Sequence, residues 1–185
     1  MSDAKTSGAI SVEVLTEFRG PDLNDICDAA EAAIADGGGF GWVRKPPRHI
    51  MEAYWKGMIL VPDRRVFVAR LDGTIAGSAL LVRPPRNNEA QAFGAQLTGM
   101  FVAPWARGRG LGRKIIELVE ATARELGIEV LNLDVRDTQA AAIRLYESMG
   151  FRRWGRHPAY ARVGGKIISG HFLWKPLTPS LGGEP

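Results

Sequence analysis

Gly99-Met100-Phe101-Val102-Ala103-Pro104-Trp105-Ala106-Arg107-Gly108-Arg109-Gly110-Leu111-Gly112 joins an apolar strand end to a glycine-arginine loop. Pro104 stops the strand, and a helical pattern starts directly after the loop. A strand, a glycine-rich turn and a helix start together present backbone N–H groups to an anion. Glycines let that backbone approach phosphate oxygens closely, and arginines add charge-assisted hydrogen bonds. The stretch therefore reads as a pyrophosphate cradle. It is not the dinucleotide fingerprint G-x-G-x-x-G, because Arg113 stands three residues after Gly110. Nor is it a Walker loop, since no Gly-Lys-Ser/Thr follows.

Working outward, the 185 residues fit one domain. With 45% apolar and 24% charged residues, the composition is that of a globular protein with a core. The net charge of +4 suits a polyanionic ligand without demanding one. A single cysteine, Cys27, rules out an intrachain disulfide and points to a reducing, cytoplasmic setting. It lies beside a helical apolar stripe and reads as a buried, inert thiol. No apolar run is long enough for a membrane span and no signal sequence is evident, so no membrane association is expected.

The first residues, 1–9, read as a disordered N-terminus. A strand is predicted over Ile10–Phe18, then helices from Pro21-Asp22 to about Ala35 and from about His49 to Leu60. Between them lies Gly37-Gly38-Gly39-Phe40-Gly41-Trp42, a loop that can both move and stack. Strands Arg65–Arg70 and Ile75–Val82 flank a Leu71–Thr74 turn, which is a hairpin signal. The next strand, Phe93–Val102, carries Gly94 and Gly99, and an interior glycine marks a bulge or a close backbone approach. Leu111–Leu126 is an amphipathic helix with Gly127 beyond its end. Strand Val130–Val135, helix Thr138–Met149 and two short strands near Arg152–Arg156 and Ser169–Lys175 follow. Residues 177–185 read as a disordered tail, leaving one domain over 10–176.

The spacing Arg107-x-x-Gly110-x-Gly112 resembles the acetyl-CoA signature, Gln/Arg-x-x-Gly-x-Gly/Ala, of the GNAT (Gcn5-related N-acetyltransferase) family. Ala142-Ile143-Arg144-Leu145-Tyr146-Glu147-Ser148-Met149-Gly150-Phe151 resembles that family's Ala-x-x-Leu-Tyr-Glu-x-x-Gly-Phe segment, in the expected order after the cradle. The resemblance implies an α/β fold: a mixed, twisted sheet of about seven strands, about four helices, and a central parallel pair splayed apart where the cofactor enters. It implies that the Phe101 and Val102 backbone holds the pantetheine arm. Arg107, Gly108, Arg109, Gly110, Leu111, Gly112 and Arg113 would hold the pyrophosphate. Many family members place an Asn at the start of the last helix, and here Gln139 stands there, a longer amide in the same place. No metal is expected.

The activity implied is acyl-CoA-dependent N-acetyl transfer from acetyl-CoA to a primary amine, by direct attack. Tyr146 resembles the family's tyrosine near the CoA sulfur and would be the general acid; the plain alternative is a core tyrosine. The Val102 N–H would be the oxyanion donor. A primary amine with pKa near 10 is only about a thousandth neutral at pH 7, so deprotonation matters. The strand before the cradle offers Gln96, Leu97, Thr98 and Gly99, none of them a base. Asp134 is the nearest carboxylate, with a hydrogen-bonded strand carboxylate as its plainer reading. The expectation is therefore no dedicated strand base.

For the acceptor, the candidates are Phe40, Trp42, Tyr54 and Trp55 on one side and His157, Tyr160 and His171 on the other. The segments Trp154–Tyr160 and Gly170–Lys175 are loosely similar to small-molecule acetyltransferases of the tabtoxin-resistance kind. An aromatic pocket suits a small-molecule amine through cation–π contact. A protein lysine or N-terminus is the competing acceptor, and a non-catalytic acetyl-CoA-binding sensor is the competing class. Nucleic-acid binding is not expected, because the basic residues are scattered. A homodimer is compatible with the resemblance but has no signal in the sequence.

Overall fold

Two apolar faces must be covered in this chain, and the sheet's order follows from how each helix covers one. The computed structural model describes residues 8–38 and 40–181. In chain order the elements are β1 (Ile10–Leu15), α1 (Asp22–Ala35), α2 (Arg48–Leu60), β2 (Arg64–Leu71), β3 (Thr74–Val82) and β4 (Gly94–Val102). They continue with α3 (Leu111–Glu125), β5 (Val130–Arg136), α4 (Ala140–Ser148), β6 (Arg152–Val163) and β7 (Lys166–Pro176). The strands form one seven-stranded sheet in the order β1-β2-β3-β4-β5-β7-β6. Only β4 and β5 run parallel; every other neighbouring pair is antiparallel.

In α3, Leu111, Ile115, Ile116, Val119 and Ala123 form one buried stripe, as the helical period requires. It packs on Phe67, Leu81, Leu97, Leu131 and Leu133, the inward residues of successive strands. On the opposite face, Ile26, Ala30 and Ala33 of α1 and Met51 and Trp55 of α2 cover Val66, Val68, Ile75 and Leu80. Burying one side chain the size of Ile115 stabilises the fold by roughly 1.5–3 kcal/mol.

Gly99 sits at φ +59°, and between the pairs Leu80↔Thr98 and Ser78↔Phe101 strand β4 holds one residue more than β3. This is the bulge expected of an interior glycine. Beyond it the sheet opens. β4 and β5 are in register only at Gly94↔Val130, Ala95↔Leu131 and Gln96↔Asn132. From Leu97 and Leu133 onward the two strands diverge, so the implied splayed pair is present.

Four expectations about boundaries are corrected. β1 ends at Leu15 rather than Phe18, and Phe18 instead packs against the α1–α2 cluster. Ala9, placed in the N-terminal tail, hydrogen-bonds the Asp72 backbone and side chain, while residues 1–7 lie outside the described part. Leu177, placed in the C-terminal tail, is buried and donates its N–H to the Glu129 carbonyl. A short 3-10 turn follows at Pro179–Leu181, and residues 182–185 are not described. The largest difference is β6, expected to end near Arg156, which runs to Val163 and pairs with β7 through a Gly164-Gly165 turn. Both glycines have positive φ, +56° and +80°, the conformation a tight hairpin turn of this kind requires.

Candidate active site

The gap between β4 and β5 opens on the α3–α4 face into a groove of about 580 Å³. Its walls include Phe101, Val102, Arg107, Gly108, Gly110, Leu111, Gly112, Arg113, Gln139 and Tyr146, so every expected cofactor residue except Arg109 lines it. Ala103 donates its N–H to Ala76 across the β3–β4 ladder, and Phe101 pairs with Ser78. Alternation in an antiparallel ladder then turns the Val102 N–H and C=O to the other edge, toward the gap. The Val102 carbonyl accepts the Arg107 Nε at 3.2 Å on that edge. Of the two residues expected to offer backbone, Val102 is the one that faces the gap.

Gly110 caps α3 at φ +84° and carries no side-chain cap. The first intrahelical acceptor is its own carbonyl, which takes the Lys114 N–H, so the N–H groups of Leu111, Gly112 and Arg113 have no partner within the helix. A Cβ on Gly108 or Gly110 would meet nothing within 4 Å, so the loop presents a bare backbone edge. At Gly112 a Cβ would approach Leu145 Cδ2 at 3.0 Å and Met100 Cε at 3.3 Å, so glycine here lets α3, α4 and β4 converge. Free N–H groups, the positive end of a helix and nearby guanidinium groups together fit a pyrophosphate.

The loop after α1 crosses one side of this groove. Arg107 pairs with Asp36, and the Gln139 amide donates to the Gly37 carbonyl at 2.9 Å. Two residues expected to hold the cofactor thus also hold that loop. Tyr146 is buried, its ring packed edge-on against Phe151, and no hydrogen bond joins its phenol to a described residue. Burial, and secondarily the Asp134 charge, push the phenol well above its ordinary value, so it stays protonated at neutral pH. Cys27 is fully buried, which raises its thiol to about 11 and leaves it unfit as a nucleophile.

On the opposite face, a second groove of about 1070 Å³ lies beyond the part of the sheet that α1 and α2 cover. Gln96, Asn132, Asp134, Phe172 and Trp174 line it, with Trp154, Phe93 and Arg83 at its sides. Asn132 and Asp134 alternate with Leu131, Leu133 and Val135, which point into the core beneath α3. Asp134 accepts hydrogen bonds from Gln96 Nε2 at 2.9 Å and from the Tyr160 hydroxyl. Burial and the Asp134 hydrogen bond both raise the Tyr160 phenol, so Tyr160 remains the donor. Its ring fits only because residue 170 is glycine: a Cβ there would lie 2.3 Å from the ring.

The acceptor residues expected from sequence do not converge. Trp55 is fully buried in the α1–α2 cluster, with Phe40, Trp42 and Tyr54 packed against it, and Phe40 stacks on Phe101 at 4.8 Å. His171 lies in register with Val135 on the α4 side, hydrogen-bonded to Asp137, away from the second groove. The Ser169, His171 and Arg156 hydrogen bonds hold the Asp137 carboxyl far below its usual range, which marks a structural cluster. His157 accepts the Ala159 N–H inside the β6 bulge. Of these candidates, Tyr160 alone hydrogen-bonds a residue that lines the second groove, Asp134. Sequence reasoning missed Arg83, Phe93 and Asn132. The signal available was Asn132-x-Asp134 inside an apolar strand, polar residues where a helix-covered face would have none.

The sequence matches the acetyltransferase (GNAT) family over residues 29–151. An uncharacterized N-acetyltransferase from the hisH-hisA intergenic region of Azospirillum brasilense is 59% identical over 130 residues, 70% of this chain and 77% of that protein. The IAA acetyltransferase of the same organism is 34% identical over 116 residues, covering 63% of this chain and 70% of its own. The N-alpha-acetyltransferase RimI of Mycobacterium tuberculosis is 35% identical over 108 residues, 56% and 62% of the two chains. Among solved structures, yncA from Salmonella typhimurium with its cofactor acetyl-CoA superposes at a TM-score of 0.76, with 21% identity over 92% of this chain and 95% of that one. With motif order, sheet topology and splayed strands in agreement, this chain belongs to the GNAT family and is an acetyl-CoA-dependent N-acetyltransferase.

Proposed function

We propose that the chain acetylates the primary amine of a small molecule by direct attack across the β4–β5 gap. The observation that carries this reading is that two grooves lie along β4 on opposite faces of the sheet, one at its end and one where it begins to diverge from β5. One is lined by the glycine-arginine loop and Tyr146, the other by aromatic side chains and Asp134. Acetyl-CoA, when bound, supplies an activated acyl carbon on a thiol leaving group.

This chain's residues do the rest. The N–H groups of the α3 N-terminus and the Arg107 and Arg113 guanidiniums bind the pyrophosphate. The unpaired edge of β4 receives the amide-bearing arm as a substitute strand. The Val102 N–H donates to the carbonyl oxygen as charge gathers on it. Tyr146, protonated, donates to the departing sulfur. The acceptor enters as an ammonium and leaves as an amide, so it gives up two protons. One accompanies the thiol, and the other goes to solvent through the polar rim at Asp134 and Gln96. Phe40, Trp42, Tyr54 and Trp55 support β4 from behind and do not wall the acceptor.

The relatives include a RimI N-alpha-acetyltransferase on one side and a streptothricin acetyltransferase on the other. A groove walled by Phe93, Trp154, Phe172 and Trp174 favours a compact acceptor. The test is acetyl-CoA-dependent thiol release over small amines, lysine peptides and N-terminal peptides. Turnover confined to small amines is expected. Turnover confined to long peptides, whatever their terminal charges, would refute the small-molecule assignment.

A further inference from the structure

The second groove contains a charge pattern that the transfer chemistry does not require. Among its described lining residues only two are charged, Arg83 and Asp134, and they have opposite signs. Neither forms an ion pair with a described residue, unlike Arg70, Arg156 and Lys175 on the same sheet. The hydrogen bonds that Asp134 accepts come from neutral donors, Gln96 and Tyr160, which orient both carboxylate oxygens. The rest of the lining sets the apolar Pro84, Pro85, Phe93, Trp154, Phe172 and Trp174 beside the neutral polar Asn88, Gln91, Gln96 and Asn132. Two opposite charges facing one groove are complementary to a ligand with the reverse pattern.

Resting on the N-acetyltransferase reading above, we infer that the acceptor is amphoteric: a primary amine that also carries a carboxylate or similar anion, separated from the amine by an apolar spacer. Asp134 takes the ammonium at the gap, where Gln96 and Tyr160 position it. Arg83 takes the anion at the far rim. The separation follows from register. Val82, Gln96 and Asn132 lie side by side on β3, β4 and β5, so the backbones bearing Arg83 and Asp134 are two strands apart. At about 4.8 Å per strand this is about 10 Å across the sheet. β3 runs antiparallel to β5, so Arg83 and Asp134 are also displaced in opposite directions along the strands by about three residues, about 10 Å more, which sets the backbones about 14 Å apart. An α-amino acid, with both charges on one carbon, cannot reach both sites in an extended groove. An ω-amino acid or a di- or tripeptide with free ends can.

Tyr160 is a positioning residue here. It touches Asp134 rather than substrate, and its place depends on the β6 bulge between His157 and Ala161 and on Gly170. Removing its hydroxyl frees one carboxylate oxygen to rotate, so it should raise KM for every amine more than it lowers kcat.

The test measures kcat/KM for a series of ω-amino acids, their carboxamides, plain alkylamines, α-amino acids and free-ended di- and tripeptides. It uses wild-type protein and the variants Arg83→Gln, Asp134→Asn and Tyr160→Phe. The expected result is at least a tenfold preference for an ω-amino acid or short peptide over its own amide in wild type. Arg83→Gln, at an exposed position, should erase that preference and leave the amide's rate unchanged. Asp134→Asn keeps an oxygen for Gln96 and Tyr160, so folding is preserved; it should lower kcat/KM at least tenfold for acid and amide alike. Equal rates for acid and amide in wild type, or Arg83→Gln slowing both equally, would overturn the inference. Calorimetric binding of acetyl-CoA reports the donor half separately. Binding with no preference for acids sinks this inference alone, whereas absence of binding sinks the N-acetyltransferase reading beneath it.

Discussion

Replacing Tyr146 by Phe should separate activity from stability in opposite directions. The phenol forms no hydrogen bond to a described residue, and its ring is packed against Phe151, which Phe would match. Deleting the hydroxyl therefore removes no folding interaction and relieves the partial desolvation of a polar group, about 0.5–1 kcal/mol in favour of the variant. For a chain of this size that is a Tm unchanged or higher by about 2–3 °C. Catalysis should respond the other way. Burial holds the phenol above its ordinary value of about 10, whereas a thiol titrates near 8.5. Full proton transfer to the departing sulfur is therefore uphill, and Tyr146 contributes a hydrogen bond to a developing charge rather than a complete protonation. Such a bond stabilises by about 1.5–3 kcal/mol, so kcat should fall roughly 10- to 150-fold with little change in the affinity for acetyl-CoA. The sign of the pH effect follows from the same shift. A raised phenol keeps its proton below about pH 10, so wild-type kcat/KM should climb with amine deprotonation and show no falling limb from Tyr146 in that range. Steady-state kinetics by thiol release, with thermal unfolding on the same preparations, measures all three quantities. A kcat within twofold of wild type, or a descending limb below pH 9 that disappears in the variant, would refute the assigned role.

Gly110→Ala places a Cβ at φ +84°, which costs about 1–2 kcal/mol and a few degrees of Tm, and projects a methyl from the bare edge of the cradle. Acetyl-CoA affinity measured by calorimetry should fall at least tenfold, and unchanged affinity would remove this loop from phosphate binding. Asp22, 4% exposed, accepts hydrogen bonds from Arg70 and from the Arg19 N–H. Asp22→Asn should destabilise by about 1–3 kcal/mol, reduced from the fully buried case because Arg70 keeps some solvent. The Arg70 hydrogen bond lowers the Asp22 carboxyl, so its contribution is complete above about pH 4 and is lost as pH falls through the lowered folded value. Urea unfolding across pH 3–7 should therefore show a shallower acid decline in the Asn variant, and parallel curves would disprove the coupling.

The fold was legible where sequence period and packing coincide. The α3 stripe and the Asp72-Gly73 turn at positive φ carry their structure in local chemistry. β6 did not. Its residues are mostly exposed on both faces, so no alternation separates inside from outside, and Pro158 together with the bulge between His157 and Ala161 breaks the pattern. Its strand character comes from pairing with β7, a tertiary fact that overrides weak local preference. The same cause lengthened β7 at its start, since residues 166–168 are strand only because β6 lies beside them.

The two halves of the site differ in legibility for a related reason. The donor half is almost contiguous: residues 99–113 and 139–146 form two short segments whose glycines, arginines and tyrosine sit at fixed offsets, so spacing alone could bring them together. The acceptor half draws on the end of β3, the loop before β4, and β4, β5, β6 and β7. Nothing in the chain relates Arg83 to Asp134 until the register Val82–Gln96–Asn132 is known. The aromatic-rich loop and helix at 40–55 attracted the acceptor assignment because aromatics are conspicuous in sequence, yet a Trp55 fully buried behind Phe101 has a packing partner and needs no ligand. What distinguishes Asp134 is the reverse condition, a groove-lining charge with orienting hydrogen bonds and no ion pair to a described residue, and only the three-dimensional arrangement exposes that. The acetyl donor is therefore named by two motifs, while the proposed acceptor rests on two opposite charges in one groove, and Arg83→Gln is the substitution that probes it without touching the donor groove.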